Sequence, residues 1–120
     1  MIKIKSDKII VGETLFDGCM YALNGKITEI SKEDKPCENS YDFTGKYVSA
    51  GFIDIHTRGA GGYAFMNSAV EDVIAGCDYH LVHGTTSIVP TISIGEFEAM
   101  KNAVVNIDEA KKRGKAKGNI

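Results

Sequence analysis

The sequence has no long apolar run, few cysteines and no marked excess of one charge sign. None of its apolar stretches approaches the roughly 20 residues that a membrane-spanning helix requires. Residues 1–5 alternate apolar side chains with lysines, so they lack the apolar core of a signal peptide. We therefore expect a cytoplasmic chain with no membrane partner.

The cysteines and the charge balance exclude further classes. Cys19, Cys37 and Cys77 are odd in number, far apart and without a C-x-x-C pair, which argues against both a disulfide framework and a zinc knuckle. The 120 residues carry 14 basic and 16 acidic side chains, a formal charge of −2. This near-neutral balance argues against a nucleic-acid partner. What the sequence does have in excess is glycine, with 13 residues.

Residues 1–50 have the pattern of short strands joined by turns. Alternation of apolar and polar residues predicts strands at 2–4, 8–11, 19–23, 26–30, 41–43 and 46–48. Between two of these runs stands Asn24-Gly25, a strong hairpin signal because both turn positions need a positive φ. The segment 31–40 is polar and charged, as in a surface loop. We expect this part of the chain to form a small β-sandwich.

From Gly51 onward the pattern changes to alternating strands and helices. Residues 52–56 are almost continuously apolar, which predicts a strand buried on both faces of a parallel sheet, and residues 85–91 predict a second such strand. Capping-box spacings open one helix at Ser68 and another after Ser93. Their expected apolar stripes are Val70, Val73, Ile74, Cys77 and Leu81, and then Phe97, Met100, Val104, Ile107 and Ala110.

The predicted class is therefore α/β, with two strand–helix units over residues 51–120. Gly84 and Gly114 stand where glycines end helices, and a third strand is expected to start after Gly118. We expect the chain to stop before that third strand is complete, leaving an open sheet edge.

His56 is the leading candidate for chemistry, because it lies at the carboxyl end of the first predicted parallel strand. α/β barrels place their active sites at this edge, and an imidazole there can bind a divalent metal. A histidine that merely caps the strand and hydrogen-bonds a loop carbonyl explains the same position, and spacing alone leaves both interpretations open.

Two further features have a structural and a functional interpretation. The glycine-rich loop with Gly59, Gly61 and Gly62 could bring backbone N–H groups close to an anion or a sugar, or it could be a tight connection. His80 and His83 could present two imidazoles to one metal, or could simply suit the negative end of the helix dipole. The basic residues 111–117 suit a solvated helix end.

Residues 48–59, Val-Ser-Ala-Gly-Phe-Ile-Asp-Ile-His-Thr-Arg-Gly, resemble the opening barrel strand of the amidohydrolase superfamily. In that superfamily a small β-sandwich precedes a Pro-Gly-Phe-Ile-Asp-x-His-x-His run. Two further segments, Gly-Ala-Gly-Gly-Tyr-Ala-Phe-Met at 59–66 and His-Gly-Thr-Thr-Ser-Ile-Val-Pro-Thr at 83–91, are similar to the N-acetylglucosamine-6-phosphate deacetylases. The resemblance covers nearly the whole chain, but only the N-terminal part of the family's length.

The resemblance implies a metal-dependent hydrolysis of the acetamido group of an amino-sugar phosphate, giving glucosamine 6-phosphate and acetate. It implies a divalent metal, zinc or another transition metal, for the complete enzyme. The family's catalytic aspartate and its other metal ligands have no counterpart in these 120 residues. We therefore expect no catalytic residue and no tightly bound metal in this chain alone.

Two positions depart from the family pattern. Ala50 stands where proline is usual, and Arg58 stands where the second histidine of His-x-His is expected. A guanidinium is permanently cationic and cannot bind a metal, so His56 lacks its usual companion and is expected to lie at the margin of any metal site. Arg58, Gly59, Gly61 and Gly62 are the expected substrate loop, and the roles of Arg58 and His83 stay open.

The resemblance divides the chain into a β-sandwich segment, 1–50, and the first two βα units of a (β/α)8 barrel, 51–120. The leading hypothesis is the N-terminal portion of a deacetylase, inactive as 120 residues. One alternative is a non-catalytic fragment or self-associating module, since unpaired strands and apolar stripes favour a homo-oligomer. Another amidohydrolase ranks lower, because such enzymes depend more on the histidine pair.

Overall fold

A computed structural model of the protein describes all 120 residues and divides them into two compact units, Met1–Ala50 and Gly51–Ile120. The first unit is a single five-stranded sheet and contains no helix. The second unit contains two parallel strands, a short hairpin and two helices. Neither helix is long and apolar enough to cross a membrane.

The sheet of the first unit is built around its first strand. Strand β1 pairs antiparallel with β2, which pairs antiparallel with β3, while β4 and β5 both pair with β1 in parallel. Asn24 and Gly25 form the turn between β2 and β3 with φ angles of 52° and 75°, which confirms the predicted hairpin. The strand bounds are β1 Ile2–Val11, β2 Thr14–Leu23, β3 Lys26–Ser31, β4 Asn39–Asp42 and β5 Tyr47–Val48.

Two predictions for this unit were wrong. A sandwich needs two packed sheets, and residues 1–50 form only one. The two short strands expected at 2–4 and 8–11 are one strand, because Ser6 and Asp7 form an irregularity in β1 instead of a turn. The buried Ser6 hydroxyl donates to the Lys46 carbonyl at 2.7 Å and accepts from the Lys8 N–H at 3.0 Å. These bonds satisfy the polar groups at the irregularity and let the strand continue.

A cluster of charges fixes the segment after β3 to the sheet. Asp34 accepts hydrogen bonds from the ammonium groups of Lys3 at 2.6 Å and Lys5 at 2.9 Å. These bonds, together with the positive charges, lower the pKa of Asp34 from 3.8 to about 2. The segment 31–40, predicted as a charged surface loop, is a loop only over residues 32–38, and its Asp34 is held to β1 by ion pairs.

The second unit has the predicted order of strand, helix, strand and helix. Strand β6, Phe52–Thr57, pairs in parallel with strand β9, Thr85–Pro90. Between them lie the hairpin strands β7, Gly59–Ala60, and β8, Tyr63–Ala64, followed by helix α1, Val70–Leu81. Helix α2, Phe97–Arg113, follows β9. At the far edge of β9, Asn119 forms a parallel bridge with Ser87 at the place where a third strand was expected.

The core of this unit lies between the two helices and β9. Its buried side chains are Phe65, Val73, Cys77, Ile88 and Ala110, with Val70, Ile74, Ile107 and Ile120 packed against them. The stripe predicted for α1 is confirmed, since Val73 and Cys77 are its most buried apolar residues. The stripe predicted for α2 is confirmed at Ala110 and Ile107, which lie in or against the core. It is wrong at Phe97 and Val104, which are exposed, while Ala103 is buried instead.

Both predicted capping boxes were wrong in detail. Helix α1 begins at Val70, and the Ser68 hydroxyl donates to the Ala64 carbonyl instead of capping the helix. The Asp72 carboxylate takes over part of the capping role by accepting from the Ala69 N–H at 3.3 Å. Helix α2 has no side-chain cap at its start, but it ends as predicted at Gly114, whose φ is 58°.

Strand β6 is not buried on both faces as its apolar sequence predicted. Phe52, Ile53 and Ile55 are 68%, 71% and 72% exposed. The sheet that contains β6 has only two strands, so β6 has a paired neighbour on one edge only. An apolar run indicates burial only when enough neighbouring elements surround the strand.

Candidate functional site

The candidate site is the edge of the sheet where β6 and β9 end. Thr57 pairs with Pro90 there, so the residues that follow each strand share this edge. Between Asp54 and Thr57, β6 carries one more residue than β9 does, which places a bulge at Ile55 and His56. Bulges occur frequently beside active sites, because the extra residue redirects the side chains around it.

Hydrogen bonds hold Thr57 from two neighbouring elements. Its carbonyl accepts from the Thr91 N–H and from the Thr91 hydroxyl, both at 2.8 Å. Its hydroxyl lies 3.1 Å from Nε2 of His80 on helix α1. Thr57 therefore ties the end of β6 to both β9 and α1. Sequence reasoning missed Thr57 and Thr91, since a threonine in a strand signals only its β-branched shape.

His56 is exposed at this edge, and its imidazole has no hydrogen-bond partner. Its backbone N–H donates to the Asp54 carboxylate at 3.0 Å. The chain contains no cluster of three or more histidine, cysteine, aspartate or glutamate side chains that could surround a metal ion. A divalent ion bound by protein side chains alone needs such a set of ligands.

Arg58 follows directly and differs from His56 in how its backbone is held. Its carbonyl accepts from the N–H of Phe65, a core residue with no exposed surface, at 2.9 Å. The guanidinium of Arg58 is exposed and has no carboxylate within ion-pair distance. The backbone is thus anchored to the core, while the charged group is free.

The predicted glycine loop is a two-residue hairpin turn with specific steric demands. Gly59 has a φ of 139°, and a Cβ placed on it would collide with the Tyr63 carbonyl across the hairpin. A Cβ on Gly61 would lie 2.5 Å from Cδ2 of Tyr79 on α1. Gly62 completes the turn and has open space around it. These glycines allow the hairpin to fold back tightly against the helix.

The two histidines at the end of α1 do not form a common site. His80 is engaged with Thr57, as described above, whereas His83 lies beyond the helix and donates from Nδ1 to the Tyr79 carbonyl at 2.9 Å. The His83 ring also packs on the Tyr79 ring with centroids 4.7 Å apart. Each imidazole thus has a structural partner of its own.

The cysteines also show no shared site, since all three are free. Cys19 and Cys77 are buried, and desolvation raises the pKa of the Cys77 thiol to about 11. Cys37 is partly exposed, with its sulfur 3.4 Å from the Met1 carbonyl.

Comparison with known proteins gives a consistent set of relatives. No protein-family model matches the chain. An N-acetylgalactosamine-6-phosphate deacetylase from Shewanella sp. (strain ANA-3) is 32% identical over 95 residues, which are 78% of this chain and 23% of that protein. The crystal structure of an N-acetylglucosamine-6-phosphate deacetylase from Pasteurella multocida matches 99% of this chain with a TM-score of 0.85 and 28% identity.

A more distant structure supports the same fold. The N-acetyl-D-glucosamine-6-phosphate deacetylase of Mycobacterium smegmatis matches 99% of this chain with a TM-score of 0.84 and 19% identity. The chain spans about a quarter to a third of the length of these relatives. By both sequence and structure, the chain is similar to the N-terminal part of the amino-sugar 6-phosphate deacetylases.

Proposed function

We propose that this chain is the N-terminal portion of a deacetylase that hydrolyses the acetamido group of an N-acetylhexosamine 6-phosphate. The observation that carries the proposal is the match of nearly the entire chain to a solved deacetylase at a TM-score of 0.85 and 28% identity. In this proposal, residues 51–120 supply the first two βα units of a barrel, and residues 1–50 supply the strands that precede it.

The proposed substrate is N-acetylglucosamine 6-phosphate, which would be cleaved to glucosamine 6-phosphate and acetate. Water adds to the amide carbon, the C–N bond breaks, and the amine takes up a proton. The relative from Shewanella is named for the galactosamine compound, so that epimer is the second substrate to test. A divalent metal for this reaction would need ligands beyond His56 and the neighbouring Asp54, since the chain has no group of three or more such side chains.

The carboxyl edge of β6 is the part of this chain that would face the reaction. This edge is exposed and carries the His56 imidazole and the Arg58 guanidinium. Neither group is bonded to another side chain of this chain. The bonds from Thr91 and His80 to Thr57 fix the backbone between these two groups. In the proposed enzyme this edge contributes positioned polar groups, while the proton-transferring residue comes from another part of the protein.

A chimera tests the proposal. Residues 1–120 would replace the matching third of the 28%-identical deacetylase, and acetate release would be measured with both N-acetylhexosamine 6-phosphates. We expect the chimera to release acetate and the isolated 120-residue chain to release none. A folded chimera without activity would contradict the proposal, and rapid turnover by the isolated chain would show that it holds its own catalytic residues.

Self-association is the second candidate role, and it need not exclude the first. Ile53 and Ile55 on β6 are 71% and 72% exposed, and neighbouring copies could cover them. Light scattering of the purified chain over a range of concentrations would show a mass that rises above that of the monomer. A constant monomer mass at high concentration would rule this role out.

A further inference from the structure

The Thr57 hydroxyl lies between two polar partners, and only one arrangement of protons satisfies both. Its oxygen is 3.4 Å from the Gly59 carbonyl oxygen and 3.1 Å from Nε2 of His80. A threonine hydroxyl has one proton to donate, and a carbonyl oxygen can only accept. When that proton points to Gly59, the Thr57 oxygen accepts, so Nε2 of His80 must carry a hydrogen and donate it. The two contacts thus select the His80 tautomer that is protonated at Nε2.

The hairpin that begins at Gly59 has little stability of its own. Its strands β7 and β8 contain two residues each. An isolated two-stranded hairpin is at best marginally stable in water, even when its strands are longer. The position of this hairpin therefore depends on contacts with neighbouring elements.

Helix α1 supplies these contacts from one of its faces. A Cβ on Gly61 would lie 2.5 Å from the Tyr79 ring, and a Cβ on Gly76 would lie 3.3 Å from Cβ of Tyr63. Gly76, Tyr79 and His80 are separated by helical spacings, so they share a face of α1. The contacts at the two glycines are close packing, whereas His80 makes a directed hydrogen bond at the base of the hairpin.

We infer that His80 is a positioning residue: its Nε2–H donates to the Thr57 hydroxyl, which donates in turn to the Gly59 carbonyl. This His80–Thr57–Gly59 relay fixes the backbone on both sides of Arg58 and holds the hairpin at the carboxyl edge of β6. The direction of the hydrogen bonds rests on these contacts alone, while an effect on hydrolysis rests on the proposed function.

Two-dimensional NMR of the 120-residue protein tests the relay. Long-range correlation of the imidazole nitrogens with the ring C–H protons should show neutral His80 protonated at Nε2. Thr57→Val keeps the shape of the side chain and removes the hydroxyl. It should speed hydrogen exchange of the Phe65 amide, which donates to Arg58 across the hairpin, by about fivefold or more relative to the Cys77 amide. Cys77, inside α1, is the internal reference, because global destabilisation would speed both amides alike.

Conservative variants separate the hydrogen bonds from the packing. Thr57→Ser retains the hydroxyl and His80→Gln retains an N–H donor, so both should exchange at nearly the rate of the parent chain. His80→Leu removes the donor and should resemble Thr57→Val. Thr86→Val is the matched control, because Thr86 is an exposed threonine of the neighbouring strand β9 whose hydroxyl has no hydrogen-bond partner.

Neutral His80 protonated at Nδ1, or equal exchange ratios in Thr57→Val and Thr86→Val, would overturn the inference. In an active chimera, Thr57→Val should lower kcat by about tenfold with little change in KM, and Thr57→Ser should restore kcat. An unchanged kcat in Thr57→Val would overturn the positioning role. An inactive chimera would refute only the proposed function, because the NMR measurements on the 120-residue protein decide the relay independently.

Discussion

Replacing Phe65 by alanine should destabilise the second unit more than any other single truncation near the candidate site. Phe65 has no exposed surface and packs with Val73, Cys77 and Ile88. A Cβ on Gly76 would lie 3.1 Å from the Phe65 ring, so helix α1 already approaches the ring closely. Because the α1 backbone is already this close to the ring, it can move little to fill the cavity that Phe65→Ala leaves. The loss of unfolding free energy should therefore be about 4 kcal/mol, within the usual range of roughly 3–5 kcal/mol for a buried phenylalanine.

The measurement is the free energy of unfolding from urea titration, followed by far-ultraviolet circular dichroism and by hydrogen exchange of the α1 amides. Phe97→Ala is the matched control, because the same side chain is 70% exposed there and should cost less than about 1 kcal/mol. Phe65→Leu keeps the test decisive if the alanine variant does not fold, with an expected loss of about 1–2 kcal/mol. Equal losses for Phe65→Ala and Phe97→Ala would refute the assignment of this core.

Three further results follow from the geometry. Because the pKa of Asp34 is about 2 in the fold and 3.8 ordinarily, its ion pairs stabilise the fold above about pH 4 and are lost as the pH falls toward 2. The urea midpoint of unfolding, measured against pH, should decrease over this range, and the decrease should be smaller in Asp34→Asn. Gly59→Ala combines a positive φ with a collision across the hairpin, so it should lower the unfolding free energy by more than about 2 kcal/mol. Gly62→Ala, where only the φ is unfavourable, should lower it by about 1 kcal/mol, and equal losses would contradict this reasoning. A thiol reagent at pH 8 should modify Cys37 about a hundredfold faster than the buried Cys77, whose pKa is about 11, and mass spectrometry of the labelled peptides would show any other order.

The sequence predicted local structure well where one residue type settles the conformation. Asn24-Gly25 predicted a hairpin because its two positions need positive φ, and Gly114 predicted a helix end for the same reason. The α1 stripe was predictable because Val73 and Cys77 repeat at helical spacing. The prediction of a helix cap at Ser68 was wrong, because the Ser68 hydroxyl donates to the Ala64 carbonyl in the preceding hairpin instead.

The candidate site was only partly predictable. His56, Arg58 and the glycines could be located from their pattern and from the family resemblance. No local pattern indicated that His80 would engage Thr57, because that contact joins residues 23 positions apart. The bulge at the end of β6 was equally hidden, since it depends on the register between two strands that are distant in the sequence.

What the sequence determined by itself is the order of the elements, the change from strands alone to alternating strands and helices near Gly51, and the resemblance to deacetylases. Periodicity and turn residues act over a few neighbouring positions, so they can be recognised from the sequence alone. Only the tertiary structure decided that residues 1–50 form one sheet with parallel pairings to β1, and that β6 is largely exposed. Pairing and burial depend on which distant segments meet, and for the same reason only the structure shows that Arg58 is left without an acidic partner.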